Sequence, residues 1–257
     1  MLGSLKSEQC WHWAAYGKHP VSRDFFRFGS DFPLMKNFSD WVEKGYAMLN
    51  SENKASHNTC SWRFWAKGPY KEALLCGLVR DSNDKLGRPY PLLIMGMGTL
   101  NAWEDQWDLL PFACEKTWNQ IEYLSAQMYN DFKKLEIEVH NIRSPYSEWS
   151  EFKTTRESTL EFVEKLDDTS SQYLVDLENR ASKLSKKTEY MICLDNKLFH
   201  NQTVLINYWL FLFKAHLNTI PNAIFMGGTI EKTYMVFFRR PLTPSDFPKL
   251  WSINFPE

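Results

Sequence analysis

The sequence has little of what marks catalytic, metal-bound or exported proteins. Its 257 residues contain five cysteines, at positions 10, 60, 76, 114 and 193, with no C-x-x-C and no short spacing. An odd, scattered set argues against a disulfide framework or a zinc ribbon and for reduced thiols. His12, His19, His57, His140, His200 and His216 lie far apart, and neither H-x-x-x-H nor H-E-x-x-H occurs. No metal site is expected from such spacing. G-x-S-x-G is absent, which removes the nucleophile elbow. G-x-x-x-x-G-K-[ST] and G-x-G-x-x-G are absent as well, which removes the usual phosphate cradles. No cofactor is expected. A net charge of −1 gives no global field for nucleic acid. The first residues, Met1 to Glu8, hold no apolar stretch, so no signal peptide is expected. The most apolar run, 204–213, is interrupted by Asn207 and is about half the twenty residues that a membrane span requires. It reads as a buried core helix.

What is present points to a folded core. Hydrophobic residues make up 44 % of the chain, with eleven Trp and eighteen Phe, and this excludes extended disorder. The length allows one large domain or two small ones, and no internal repeat or low-complexity tract is found; 1–257 reads as a single domain. Trp11, Trp13 and Tyr16 mark an aromatic strand or irregular lead-in. Asp31 and Pro33 read as the N-cap and first turn of a helix on which Leu34, Phe38, Trp41, Val42 and Leu49 share a face. Strands are expected at 61–66, 73–80 and 90–98. The last two are nearly continuous apolar runs joined by a short polar turn, which suits burial on both faces and antiparallel pairing.

Residues 103–127 carry helical spacing, with a break or second start at Pro111. The alternation of Leu135, Ile137 and Val139 suggests a strand within 130–143. From 151 the chain becomes charged, and two amphipathic helices are expected, read as a helical insertion at 150–188. A short strand at 190–194, the helix at 204–217, a hairpin of 223–226 with 233–239, and a helix at 243–251 capped by Thr243 or Ser245 follow. The fold class is α/β in the α+β sense: a mainly antiparallel central sheet flanked by helices, with the charged insertion.

The most informative stretch is Asp81-Ser82-Asn83-Asp84-Lys85-Leu86-Gly87-Arg88-Pro89-Tyr90-Pro91-Leu92, a dense polar turn between two apolar runs. Upstream stand Gly17-Lys18-His19-Pro20-Val21-Ser22-Arg23-Asp24-Phe25 and Ser61-Trp62-Arg63-Phe64. In that order the three pieces resemble the TagF/ImpM family of type VI secretion accessory proteins. The family pattern is roughly G-K-x-P-x-x-G-D-F, then W-R-F, then S-x-D-x-x-G-R-x-[FY]-P-L. Arg23 departs from it where the pattern has Gly. The resemblance covers roughly residues 10–98.

The charged residues in that region are Lys18, Arg23, Asp24, Arg63, Asp84 and Arg88. Two compatible readings remain open. Arg63 and Arg88 could pair with Asp24 or Asp84 and pin loops to the sheet, since a guanidinium suits bidentate pairing. The set could also form a polar docking surface. Trp62 and Phe64 alternate with Arg63 and should face the opposite side of their strand, in the core. The resemblance implies a cytoplasmic accessory factor, a post-translational regulator and chiefly a repressor of secretion-machine assembly. It implies action by protein binding rather than catalysis. The implied partners are the forkhead-associated scaffold protein and membrane-complex subunits, with no nucleic acid and no insertion into a membrane. An enzyme with a dispersed site, such as a hydrolase acting on the apparatus, and a structural subunit of the machine are the alternatives.

Overall fold

Period-two alternation of apolar side chains builds one eight-stranded sheet with two buried faces. The computed structural model describes residues 11–51, 59–165, 168–194, 199 and 201–253; Cys10, His57 and His200 lie outside them. Strands β1 (His12–Gly17) and β2 (Phe26–Gly29) form a hairpin. Strands β3 (Ser61–Lys67), β4 (Ala73–Arg80) and β5 (Leu92–Thr99) form a meander. Strand β6 (Glu189–Cys193) lies at one edge, and β7 (Ala223–Gly228) with β8 (Thr233–Phe238) makes a second hairpin. The order is β2-β1-β5-β4-β3-β7-β8-β6, and every neighbouring pair is antiparallel. Every residue of β4 and β5 except the last of each is buried, as their continuous apolar sequences require.

The two faces carry different helices. On one lie α1 (Pro33–Ser51) and α7 (Asp246–Ser252). Met35, Phe38, Trp41 and Val42 of α1 and Phe247 and Trp251 of α7 pack there against Trp62, Phe64, Phe225 and Phe238. On the other lie α2 (Leu110–Ala126), α3 (Phe132–His140), α4 (Trp149–Glu164), α5 (Asp168–Leu184) and α6 (Gln202–His216). Trp65, Cys76, Ile94, Ile224 and Phe237 meet them. The expected burial of Trp62 and Phe64 opposite Arg63 is what the strand shows. The span 150–188 forms two helices, and Phe152, Leu174, Leu177 and Ala181 join the core of this face. Pro111 stands in the first turn of α2, after a 3-10 turn at Trp107–Leu109, so it marks a second start.

A buried ion cluster ties three of these elements together. Asp108, in the 3-10 turn, is fully buried. Its carboxylate accepts from Arg156 of α4 at 2.8 Å and from Lys214 of α6 at 2.5 Å. Asn207 of α6 donates to the Asp108 carbonyl at 2.7 Å. The polar residue inside the most apolar helix therefore has a backbone partner, as a buried amide requires. Among the described residues no helix is long and apolar enough to cross a membrane.

The structure corrects four local expectations. Residues 132–140 are the helix α3, not a strand: Leu135 and Val139 are buried four residues apart, while Ile137 between them is exposed. Asp31 lies two residues before α1, and its carboxylate pairs with Arg27 at 2.9 Å. Residues 101–106 are turns, so the helix expected from 103 begins later. Ser245 occupies the N-cap position of α7 without a side-chain cap; Asp246 instead accepts from the Thr243 N–H at 2.7 Å and the Thr243 hydroxyl at 3.0 Å. Strand β2 was not expected at all, and its four residues pair with β1.

Candidate functional site

The sheet register brings the three sequence motifs to one end of the molecule. Paired residues run across that end from Gly17 to Leu92, Leu92 to Arg80, Arg80 to Ser61, Ser61 to Gly228 and Gly228 to Thr233. The loops 18–25 and 81–91 leave this row side by side. Gly17 makes their approach feasible. Its φ is +121°, and a Cβ there would sit 2.0 Å from the Pro91 carbonyl oxygen.

Asp84 joins the two loops. It is fully buried, and its carboxylate accepts four hydrogen bonds. The Leu86 and Arg88 N–H groups donate to Oδ1 at 2.9 and 3.0 Å. Arg88 Nε donates to Oδ2 at 2.7 Å, and Lys18 Nζ lies 3.0 Å from the same oxygen. Burial alone would raise the Asp84 pKa, but the bonds from Lys18, Arg88 and Leu86 outweigh it and hold the carboxyl down to about 2. The turn around it is closed by Gly87 N–H donating to the Asp84 carbonyl at 2.9 Å, with Gly87 at φ +79°. Lys18 is itself buried, and its ammonium also lies 4.7 Å from the Phe25 ring centroid.

Arg88 extends the frame back to the first loop. Its Nη2 donates to the Arg23 carbonyl at 2.7 Å and lies 3.6 Å from the Asp24 carboxylate. Lys85 N–H donates to the Ser22 carbonyl at 2.7 Å. Arg23 departs from the glycine of the family pattern, yet its φ is not positive. The bonded group at this position is the carbonyl, which any residue supplies. The outward side of the frame is exposed: Arg23, Asp24, Lys85, Phe25 at 50 % and Leu86 at 70 %.

Of the six charged residues singled out in the sequence, five meet here. Arg63 does not. One of the two open readings pairs it with Asp24 or Asp84, but it points to the opposite layer from Trp62 and Phe64, and Glu122 of α2 takes it through two bonds of 2.6 Å. Nothing local signals Glu122, which lies 59 residues away.

Several residues of this end escaped the sequence reading. The Asp81 carboxylate accepts from Cys60 N–H at 2.8 Å and from the Trp251 indole at 2.6 Å, tying α7 to the start of the loop. Burial raises its pKa, and those two bonds oppose the rise. Tyr90 stacks edge-on to Phe25, Tyr16 and Tyr46, and its hydroxyl lies 3.1 Å from that of Tyr16. His19 is buried, with Nδ1 accepting from Val21 N–H at 3.2 Å; burial lowers its pKa to about 4, so its ring is neutral. Burial likewise pushes the Cys60 thiol up to about 12.

No protein of curated function matches the chain. A crystal structure of PA0076 from Pseudomonas aeruginosa PAO1 superposes with a TM-score of 0.56 at 15 % identity, covering 95 % of this chain and 96 % of that one, and so shares the fold. The TagF N-terminal domain, type VI secretion system-associated, matches residues 14–142, the span that contains both loops, Arg63 and Glu122. The chain belongs to the TagF family of type VI secretion-associated proteins.

Proposed function

We propose that this protein is a cytoplasmic, post-translational regulator of type VI secretion, chiefly a repressor, that works by occupying a partner needed for assembly. The observation that carries the reading is the construction of the sheet end. Asp84, Lys18 and the two loop backbones are consumed in one another, so they build a fixed frame. What the frame displays outward is a mixed face of Arg23, Asp24, Phe25 and Leu86. Exposed aromatic and aliphatic side chains ringed by charge suit a protein contact. The ionisable groups beside it are placed for structure: His19 is neutral and enclosed, and the Cys60 thiol is held protonated, which supports binding over chemistry. The forkhead-associated scaffold protein and membrane-complex subunits are the partners we propose, on the resemblance that the motifs carry.

Occupancy is stoichiometric, and this gives the test. Overproduction should lower secretion of the tube protein in proportion to the ratio of this protein to its partner. Deletion should raise secretion or leave it unchanged. Leu86→Glu and Phe25→Ala should weaken both repression and partner capture while leaving the fold intact. The reading fails if trace amounts repress fully, or if a single His or Cys substitution abolishes repression in a normally folded protein.

A further inference from the structure

A cavity of about 390 Å3 opens at the same sheet end, on the face that carries α2 and α6. Among the described residues, its walls hold two guanidiniums, Arg63 and Arg80, and one carboxylate, Glu122. The charges do not balance. Glu122 is taken by Arg63 through both of its oxygens. Arg80 Nη1 donates to the Ser125 hydroxyl at 3.1 Å, a neutral partner. Its sequence neighbour Asp81 is bonded to the Cys60 N–H and the Trp251 indole and acts on Arg80 only through space, from outside the cavity wall. Among the described lining residues, two cations stand against one anion.

One further feature has the same sign. Gln202 and Thr203, the first residues of the 15-residue helix α6, line the cavity, which puts the positive end of that helix at its wall. Glu115 is held by the Thr203 hydroxyl at 2.8 Å and does not line the space. Ile206 and Met226 supply an apolar wall beside the charges. The volume lies in the range of small-ligand sites.

We propose that this cavity binds an oxyanion, a carboxylate or a phosphate, on the fork of Arg80, with the group that bears it against Ile206 and Met226. A guanidinium with free donors grips two oxygens of such a group at once. The anion is either a free small molecule or an acidic or phosphorylated side chain of a docking protein; the chemistry at Arg80 is the same.

The test is a titration of the full chain with inorganic phosphate at constant ionic strength, followed by nuclear magnetic resonance. Saturable shifts are expected at Arg80 Nε–H and at the amides of Thr203 and Gly227. Arg80→Met, which keeps the stem, should weaken binding at least tenfold, and Arg80→Lys, which keeps the charge but loses the fork, should fall between. Identical titrations of wild type and Arg80→Met, or shifts that map away from this cavity, overturn the proposal. If Arg80→Met does not fold, the Arg80→Lys titration decides in the same way: equal affinity to wild type is the contrary result. A second arm captures secretion proteins from the native lysate. Capture lost in Arg80→Met assigns the oxyanion to a partner side chain; capture retained while phosphate binding is lost assigns it to a free anion. The titration needs no partner, so it succeeds or fails apart from the regulatory reading.

Discussion

Replacing Asp108 tests whether the charged helix α4 is fastened to the body of the fold. Asp108 is fully buried, whereas the side chains of its partners Arg156 and Lys214 are 19 % and 30 % exposed. Asp108→Ala leaves two cations aimed at an emptied, enclosed space. Breaking a buried pair from one side costs about 3–5 kcal/mol. Both cations can turn partly toward water, which places this case at the lower end, about 3 kcal/mol. With a urea slope of about 3 kcal/mol per M, the unfolding midpoint should fall by about 1 M at unchanged slope. Lys214→Met keeps the Arg156 pair and should cost about 2 kcal/mol, within the range for a hydrogen bond to a charged group. The double variant should then cost about 1 kcal/mol less than the sum of the two, because the lost carboxylate no longer has that lysine to strand. Urea unfolding followed by tryptophan fluorescence measures all four proteins. A midpoint shift below about 0.3 M for Asp108→Ala, or strict additivity in the double variant, would refute the reasoning.

Three further outcomes follow from the sheet end. Asp84 has a folded pKa depressed to about 2, so its stabilising effect is complete above the ordinary carboxylate value of 3.8 and is lost as pH falls toward 2. Thermal melts between pH 5 and pH 2 should show this loss, and Asp84→Asn should flatten that part of the profile. Gly17→Ala places a Cβ 2.0 Å from a carbonyl at positive φ and should destabilise by about 3 kcal/mol or more, while Gly87→Ala, with nothing within 4 Å, carries only the φ penalty of about 1 kcal/mol. Equal losses at the two glycines in chemical unfolding would contradict the contact. The His19 ring should titrate near pH 4 in a carbon-proton correlation spectrum; protonation near 6.5 would mean that the ring is not enclosed.

Legibility in the sequence followed the range of the interactions. Strands β4 and β5 and the helix α6 were readable because their apolar patterns are continuous and local, and β3 because Trp62 and Phe64 alternate with Arg63. Helix α3 was misread because Leu135, Ile137 and Val139 fit period two as well as period four. Only burial separates the two, and it shows that Ile137 faces out. Strand β2 is four residues long, too short for alternation to be distinctive. The Asp84–Arg88 pair spans four residues and could be read, but the partner of Arg63 could not, because Glu122 reaches it only through packing of α2 on the sheet. Asp81 looked like a turn residue; that it receives an indole from α7, 170 positions away, has no sequence signature.

The bond from Arg88 to the carbonyl of Arg23 separates two jobs that a loop often has to combine. Position, curvature and clamping are set by main-chain atoms and by Asp84, so the outward side chain at 23 carries none of that burden. Arg23 can be exchanged for glycine, for an acid or for an aromatic residue while the scaffold beneath keeps its shape. On the binding role proposed above, a partner meeting this face would encounter a surface already in place, with little ordering left to do on contact. If the proposed binding holds, changes at position 23 should alter partner choice and dissociation rate and leave the melting temperature where it was.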